Sequence, residues 1–259
     1  AVTTRAMADR AHWPRDPDFA NVPRGLLDAE DLKERATSIR LARATAIESH
    51  GIPPSVDVDL FGPGGHTTHL TTADAAGNVV AITQTINTTF GCKMIVPGTG
   101  VVLNNELDDF SIAPGVRNAF GLVGSEANVI APGKRPLSSM SPTIVLDGAG
   151  VPALSCGAAG GPRIITAVLQ ILVGVLDLGR PIEEAVAAAR VHHQWSPDQA
   201  ICEQAIDEAI VNQLKELGHD VRIIPASATA QGLGLAALEL EPPLVAASDP
   251  RVPSCAMSL

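Results

Sequence analysis

The run Gly64-Gly65-His66-Thr67-Thr68-His69-Leu70-Thr71 has the clearest chemical potential in this 259-residue chain. If the bond between His66 and Thr67 is cut, Thr67 gains a free amine beside its own hydroxyl. A terminal amine with a pKa of ~7.7 to 8.0 is substantially unprotonated near neutral pH and can take the hydroxyl proton, so nucleophile and base become one residue. Taken alone, a Thr-Thr pair after a Gly-rich turn simply opens a β-strand, because β-branched residues favour strands and glycine favours the turn before them. The neighbouring runs decide between the two.

The elements that must position Thr67 follow from pattern. Thr68 to Thr72 and Val79 to Ile86 read as two strands of a hairpin turned at Asp74-Ala75-Ala76-Gly77-Asn78. Asn87 to Ser141 is rich in Gly, Pro, Asn and Ser and is expected to be mostly loop, where binding groups concentrate. Pro142 to Leu146 and Val151 to Cys156 read as strands, followed by Gly157-Ala158-Ala159-Gly160-Gly161-Pro162 and a long helix from Arg163 to about Leu178. Helical spacing recurs over Ile182 to Ala189 and Ile206 to Leu217, and Val221 to Ile224 and Leu233 to Leu240 read as closing strands. Ahead of Thr67 the chain is charged, with a helical stretch over Leu26 to Ser49 and the turn-rich Gly51-Ile52-Pro53-Pro54, which reads as a tail or linker. The order of strands, helices and strands fits a layered α+β or αββα sandwich.

Composition narrows the functional classes. With 46% hydrophobic residues the chain can bury a substantial core, and its balance of 28 acidic against 18 basic side chains argues against nucleic acid and anionic membranes as partners. The most apolar segment, Ile164 to Leu178, is interrupted by Gln170 and Asp177 and is shorter than the ~20 residues of a bilayer span, so it is expected to be a buried helix. Ala1 to Arg15 carries charges throughout without the apolar block of a secretory signal, which leaves the compartment open. The four cysteines lack close pairing and read as ordinary thiols. His66 with His69, and His192 with His193, do not complete the three or four converging ligands a zinc site needs, so neither metal nor cofactor is expected.

Six runs together resemble the small-subunit half of the γ-glutamyltranspeptidases, members of the N-terminal-nucleophile hydrolases. They are Thr67-Thr68-His69, Thr85-Ile86-Asn87-Thr88-Thr89-Phe90-Gly91, Leu103-Asn104-Asn105-Glu106-Leu107-Asp108-Asp109-Phe110, Lys134-Arg135-Pro136-Leu137-Ser138-Ser139-Met140-Ser141-Pro142-Thr143, Gly160-Gly161-Pro162-Arg163-Ile164-Ile165 and Arg190-Val191-His192-His193-Gln194-Trp195. Asp16-Pro17-Asp18-Phe19 is similar to the end of that family's large subunit, and the likeness runs on to Ser248-Asp249-Pro250-Arg251. The resemblance implies a partial αββα sandwich, with residues 1–66 as the tail of a large subunit plus linker and residues 67–259 as the catalytic small subunit. It implies autocatalytic cleavage before Thr67, then transfer of a γ-glutamyl group from glutathione or a related compound to water or an amino acid. By the same resemblance Thr85 helps activate Thr67, Asn87, Glu106 and Asp109 hold the substrate's α-ammonium, Ser138 and Ser139 grip its α-carboxylate, and Gly160 and Gly161 form the oxyanion hole. Family analogy also points to a periplasmic or secreted location.

The chain departs from the family pattern in three places. Only 66 residues precede Thr67, so half of the sandwich and an arginine for the α-carboxylate are expected to come from a large-subunit portion outside this sequence, and this stretch alone is expected to be inactive or incompletely folded. Phe120 stands where many members carry a lid tyrosine, which implies looser closure, and Val252 to Leu259 lacks a Gly-rich close. Two alternatives stay open: a cephalosporin-type, glutaryl or poly-γ-glutamate-cleaving acylase within the same mechanism, and a catalytically silent remnant serving as an interaction partner.

Overall fold

The computed structural model describes residues 2–19, 22–44, 47, 67–235 and 244–257. The described residues form two compact units, one drawn from 1–60, 106–138 and 192–224, the other from 61–105, 139–191 and 225–259.

The second unit is layered. Strands β1 (Thr67–Ala73) and β2 (Val79–Thr85) form an antiparallel hairpin in which Thr67 lies opposite Thr85 and His69 opposite Thr83. The turn is as expected from sequence: one Asp74 carboxylate oxygen accepts from the Ala76 and Asn78 N–H groups at 2.9 Å each. Alternation then sends Thr67, His69 and Thr71 to the inner face and Thr68, Leu70 and Thr72 to the outer one.

The hairpin lies on a four-stranded antiparallel sheet of order β3 (Thr143–Leu146), β4 (Pro152–Ala159), β8 (Thr229–Leu235) and β9 (Leu244–Ser248), and packs against β4 and β8. Strand β4 divides its side chains by the same two-residue period. Leu154, Cys156 and Ala158 join a core with Ile164, Ala167, Val168 and Ile171 of helix α3 (Arg163–Leu172) and with Ile182, Ala185 and Val186 of α4 (Ile182–Ala187). Ser155 and Gly157 face the hairpin instead, Ser155 through a hydrogen bond between its hydroxyl and that of Thr71. Burial in this core pushes the Cys156 thiol up to about 12, which makes it inert.

Three expectations change here. Strand β4 runs on through Gly157-Ala158-Ala159, whose small side chains carry no strand pattern but allow the hairpin and α3 to close on both faces. Helix α3 ends at Leu172 and continues as a π-helical turn, Val173–Asp177, and this segment buries only one face, since Leu169, Leu176 and Leu178 are exposed. The turn fits beside α4 because Gly174 lacks a side chain: a Cβ there would lie 3.3 Å from that of Ala185. The closing strand expected over Leu233 to Leu240 is β8, which begins at Thr229, and residues 236–243 lie outside the described residues; β9 has no counterpart among the expected elements.

In the first unit, β6 (Ala200–Glu203) and β7 (Val221–Ile224) pair in parallel, with the two-residue β5 (Val191–His192) on the other side of β6. Helix α5 (Glu208–Glu216) starts on the Asp207 carboxylate, which accepts from the Ala209 N–H at 2.7 Å, and ends before Gly218, whose φ of 93° suits glycine. The single helix expected over Leu26 to Ser49 is broken. A 3-10 turn, Arg24–Leu27, stops at extended Asp28, which caps α2 (Ala29–Thr37) by accepting from the Glu30 and Asp31 N–H groups. The Thr37 and Ser38 hydroxyls donate to the Glu34 and Arg35 carbonyls at 2.6 Å, competing with helix continuation. Helix α1 (Val2–His12) precedes these elements.

Candidate active site

The hairpin register places the two threonines at its open end directly across from one another, and their hydroxyl oxygens lie 2.9 Å apart. Thr85 is itself held: its Oγ1 accepts the Asn87 N–H at 2.8 Å. The Thr85 oxygen keeps its proton and a second lone pair, so either hydroxyl can donate across the contact with Thr67. Asn87 can aim its N–H back at Thr85 because it adopts a left-handed backbone, φ 74°, a conformation asparagine tolerates. Its side-chain amide donates to the Asn105 carbonyl at 3.1 Å, and Asn105 Oδ1 accepts from the Thr88 N–H at 3.0 Å. The loop from Asn87 to Asn105 is thus closed on itself beside the hairpin, and Gly91 lies so near the Leu103 carbonyl that a Cβ would sit 2.1 Å from it. His66, the other half of the expected cleavage junction, lies outside the described residues.

Gly160 and Gly161 follow the end of β4 at Ala159 and lead through Pro162 into α3. Both have positive φ, 137° and 58°, and a Cβ on Gly160 would lie 2.9 Å from the Ala228 Cα, so a side chain is excluded there. The first turn of α3 begins immediately, as the Arg163 and Ile164 N–H groups bond to the Gly160 and Gly161 carbonyls. A negative charge developing at these glycines would meet the positive end of that helix.

In the first unit, Glu106 and Asp109 lie in one 3-10 turn, Glu106–Asp109, and share a side-chain hydrogen bond. Burial pushes the Glu106 carboxyl above its usual range, and the bond to Asp109 opposes that rise. Two residues missed in the sequence bring Ser138 to this turn. Asn128, buried, donates from its amide to the Asp109 carbonyl at 2.9 Å and accepts the Leu137 N–H at 3.1 Å. Arg10 donates to the Leu137 and Ser138 carbonyls at 3.3 and 3.2 Å; burial lowers its pKa to about 10, while the Asp109 charge works in the other direction. The same loop is anchored by Asp16, which accepts from the Arg135 backbone N–H at 2.8 Å and its guanidinium at 2.6 and 3.1 Å, so two of the runs quoted from sequence meet. That pairing holds the Asp16 carboxyl far below the usual carboxylate range. Ser139 belongs to the second unit, where its carbonyl accepts the Ser141 hydroxyl at 3.2 Å. Phe120, where the resemblance places a lid residue, has its N–H and carbonyl held by Asn118 and Gln194.

The structure therefore assembles the expected residues in two groups, Thr67 with Thr85 and Asn87 in one unit and Glu106 with Asp109 near Ser138 in the other. Arg10 carried no local signal, because Leu137 lies 127 residues from it, and Asn128 bonds residues 9 and 19 positions away with no periodic spacing to mark it.

A threonine-headed hairpin lying on an antiparallel sheet that is backed by helices is the architecture of the N-terminal-nucleophile hydrolases. The model of the gamma-glutamyltranspeptidase family matches residues 2–259, and the chain belongs to that family. It is 41% identical over 253 residues to the glutathione hydrolase proenzyme of Escherichia coli, covering 95% of this chain and 41% of that protein. Against the structure of gamma-glutamyltranspeptidase from Pseudomonas nitroreducens complexed with L-DON, the TM-score is 0.69 at 42% identity, covering 74% of this chain and 99% of that one. Cephalosporin acylase from Bacillus halodurans shares the fold, with a TM-score of 0.75 at 23% identity over 96% of this chain and 42% of that one. The chain spans about two fifths of the length of the curated relatives it matches.

Proposed function

We propose that the protein carrying this chain transfers γ-glutamyl groups from glutathione and related compounds to water or amino acids, through an ester on Thr67. The observation that carries this reading is the 2.9 Å contact between the Thr67 and Thr85 hydroxyls at the mouth of the hairpin. Residues 1–66 act as the tail of a large subunit and residues 67–259 as the small one. In support, 99% of the solved Pseudomonas nitroreducens chain matches 74% of this chain, a share equal in size to residues 67–259.

Cleavage of that bond gives Thr67 a free amine. The amine accepts the Thr67 hydroxyl proton as the oxygen attacks the γ-carbonyl carbon, and the Thr85 hydroxyl donates to the same oxygen in the resting state and orients it. Gly160 and Gly161 N–H groups receive the oxyanion, and collapse of the intermediate passes the amine's proton to the leaving nitrogen. Water or an amino-acid amine then attacks the ester and the steps run in reverse. Two contacts support closeness of Thr67 to the glycines: Thr71 meets Ser155, and His69 lies against Gly157. A further two-residue step along β1 and β4 brings Thr67 over Ala159, beside Gly160.

Glu106 and Asp109 suit the donor's α-ammonium, because two neighbouring carboxylates, one of them raised by burial, gain most from a cation. Asn87 assists them, and Ser138 and Ser139 take the α-carboxylate. The apolar outer face of the hairpin, with Leu70, Val80 and Ile82 all about half exposed, suits the sheet of a large-subunit portion.

Hydrolysis of γ-glutamyl-p-nitroanilide, compared with glutaryl-amide substrates, tests the proposal on the protein with all the sequence its gene places upstream. Turnover of the first alone supports it; preference for the second makes the protein an acylase of another specificity; failure with both leaves the silent interaction partner.

A further inference from the structure

We propose that His69 is a positioning residue: its ring, seated against Gly157, sets the separation between the strand that begins at Thr67 and the strand that ends at Gly160-Gly161. The proposal rests on the function assigned to Thr67 and goes beyond it, because His69 takes no part in the steps above.

His69 is 4% exposed at the centre of the hairpin's inner face. Its Nδ1 lies 2.8 Å from Thr83 Oγ1, and its Nε2 is buried with no hydrogen-bond partner among the described residues. Desolvation pushes its pKa down to about 4, so the ring is neutral across the physiological range. A neutral ring protonated at Nδ1 satisfies Thr83 and leaves an acceptor, not a donor, unmet. An apolar side chain of the same size would fill this place without stranding a nitrogen, so packing alone does not account for histidine here.

What the ring provides is a rigid spacer pinned at one corner. It occupies the volume that any side chain at position 157 would need, since a Cβ on Gly157 would lie 2.2 Å from both Nδ1 and Cε1. The Thr83 bond fixes the ring from the hairpin side, and the Gly157 backbone receives its face from the β4 side. Thr67 lies two residues from His69 on one strand, and Gly160 lies three from Gly157 on the other. At ~3.3 Å per residue the ring is within about 7 Å of the nucleophile's position along the strand.

The test is a compensating pair in the protein with all its upstream sequence, read by kcat and KM for γ-glutamyl-p-nitroanilide and by thermal unfolding. Gly157→Ala forces the ring, and with it β1, away from β4 by more than about 1 Å, and a displacement of that size costs about 100-fold in kcat. KM stays within about twofold, because the carboxylates that bind the donor are not displaced. Adding His69→Ala returns the volume and recovers at least about tenfold of the lost kcat, although each single variant is impaired. Should Gly157→Ala fail to fold, Thr83→Val releases the pinned corner without changing shape and lowers kcat about tenfold at constant KM, with each decade equal to about 1.36 kcal/mol. A wild-type kcat in folded Gly157→Ala or in Thr83→Val, or a double variant whose loss is the product of the two single losses, overturns the proposal while leaving the assignment of Thr67 intact. An inactive wild-type protein removes that assignment and this proposal together.

Discussion

Replacing Thr85 by valine removes one oxygen and keeps the shape of the side chain, so it isolates the bond that carries the functional reading. Two contacts are lost: the 2.9 Å approach to the Thr67 hydroxyl and the 2.8 Å bond from the Asn87 N–H. The first is the one that matters to rate. As Thr67 gives up its proton its oxygen becomes anionic in character, and a hydrogen bond to a charged group is worth about 1.5–3 kcal/mol. At about 1.36 kcal/mol per decade, kcat for acylation falls between about tenfold and about 150-fold. The second loss leaves the Asn87 N–H unsatisfied in a half-buried loop and costs about 1 kcal/mol of stability, visible as a small drop in Tm. Stopped-flow release of p-nitroaniline measures acylation directly, and Thr85→Ser, which retains the hydroxyl, should stay within a few-fold of wild type. An acylation rate in Thr85→Val equal to that of wild type would refute the reasoning.

Gly160→Ala should lose both stability and rate: the new Cβ meets the Ala228 backbone at 2.9 Å, and moving the residue-160 N–H out of reach of the oxyanion costs up to about 10²–10³ in kcat, checked by steady-state kinetics on the folded fraction. Asn128→Leu strands the Leu137 N–H, at about 1–3 kcal/mol, and leaves the Asp109 carbonyl on its longer 3.4 Å bond from Asn118, which lowers Tm and raises KM for the γ-glutamyl donor more than it lowers kcat. The pH dependence follows from Glu106, whose carboxyl is raised by burial. The ammonium-binding charge is present above that raised value and disappears as pH falls through it, so KM should climb on the acid side earlier than an ordinary glutamate would allow. For stability the sign is opposite: the contribution is complete below the ordinary glutamate range and is lost as pH rises through the raised value. In Glu106→Gln both the early rise in KM and this loss of stability should vanish.

The hairpin was legible in the sequence because its signals are local: an Asp-to-Asn turn and a two-residue alternation with Thr67 at its head. The layered order of elements was legible for the same reason. Beta character in Gly157-Ala158-Ala159 was not, since those residues are strand-like only because a hairpin and a helix close over them. Periodicity overextends the helix over Leu26 to Ser49 because it gives no weight to the capping carboxylate of Asp28 or the hydroxyls of Thr37 and Ser38. The family resemblance points to Glu106, Asp109 and Ser138, but what draws them together, Asn128 and Arg10, depends on folding distant segments onto one another. Along the sequence His69 reads as the third residue of the Thr67-Thr68-His69 run and as half of a histidine pair that completes no metal site. Its place between Thr83 and Gly157 is a property of two strands stacked face to face, which no spacing along one strand can express.

The central claim is that Thr67 works from a free N-terminus. Mass spectrometry of the active protein after brief exposure to a slowly released γ-glutamyl donor tests it in one spectrum. The account predicts a fragment that begins at Thr67 and carries one γ-glutamyl group as an ester on that residue. An active protein with the His66-Thr67 bond intact, or with the acyl group on any other side chain, would contradict it.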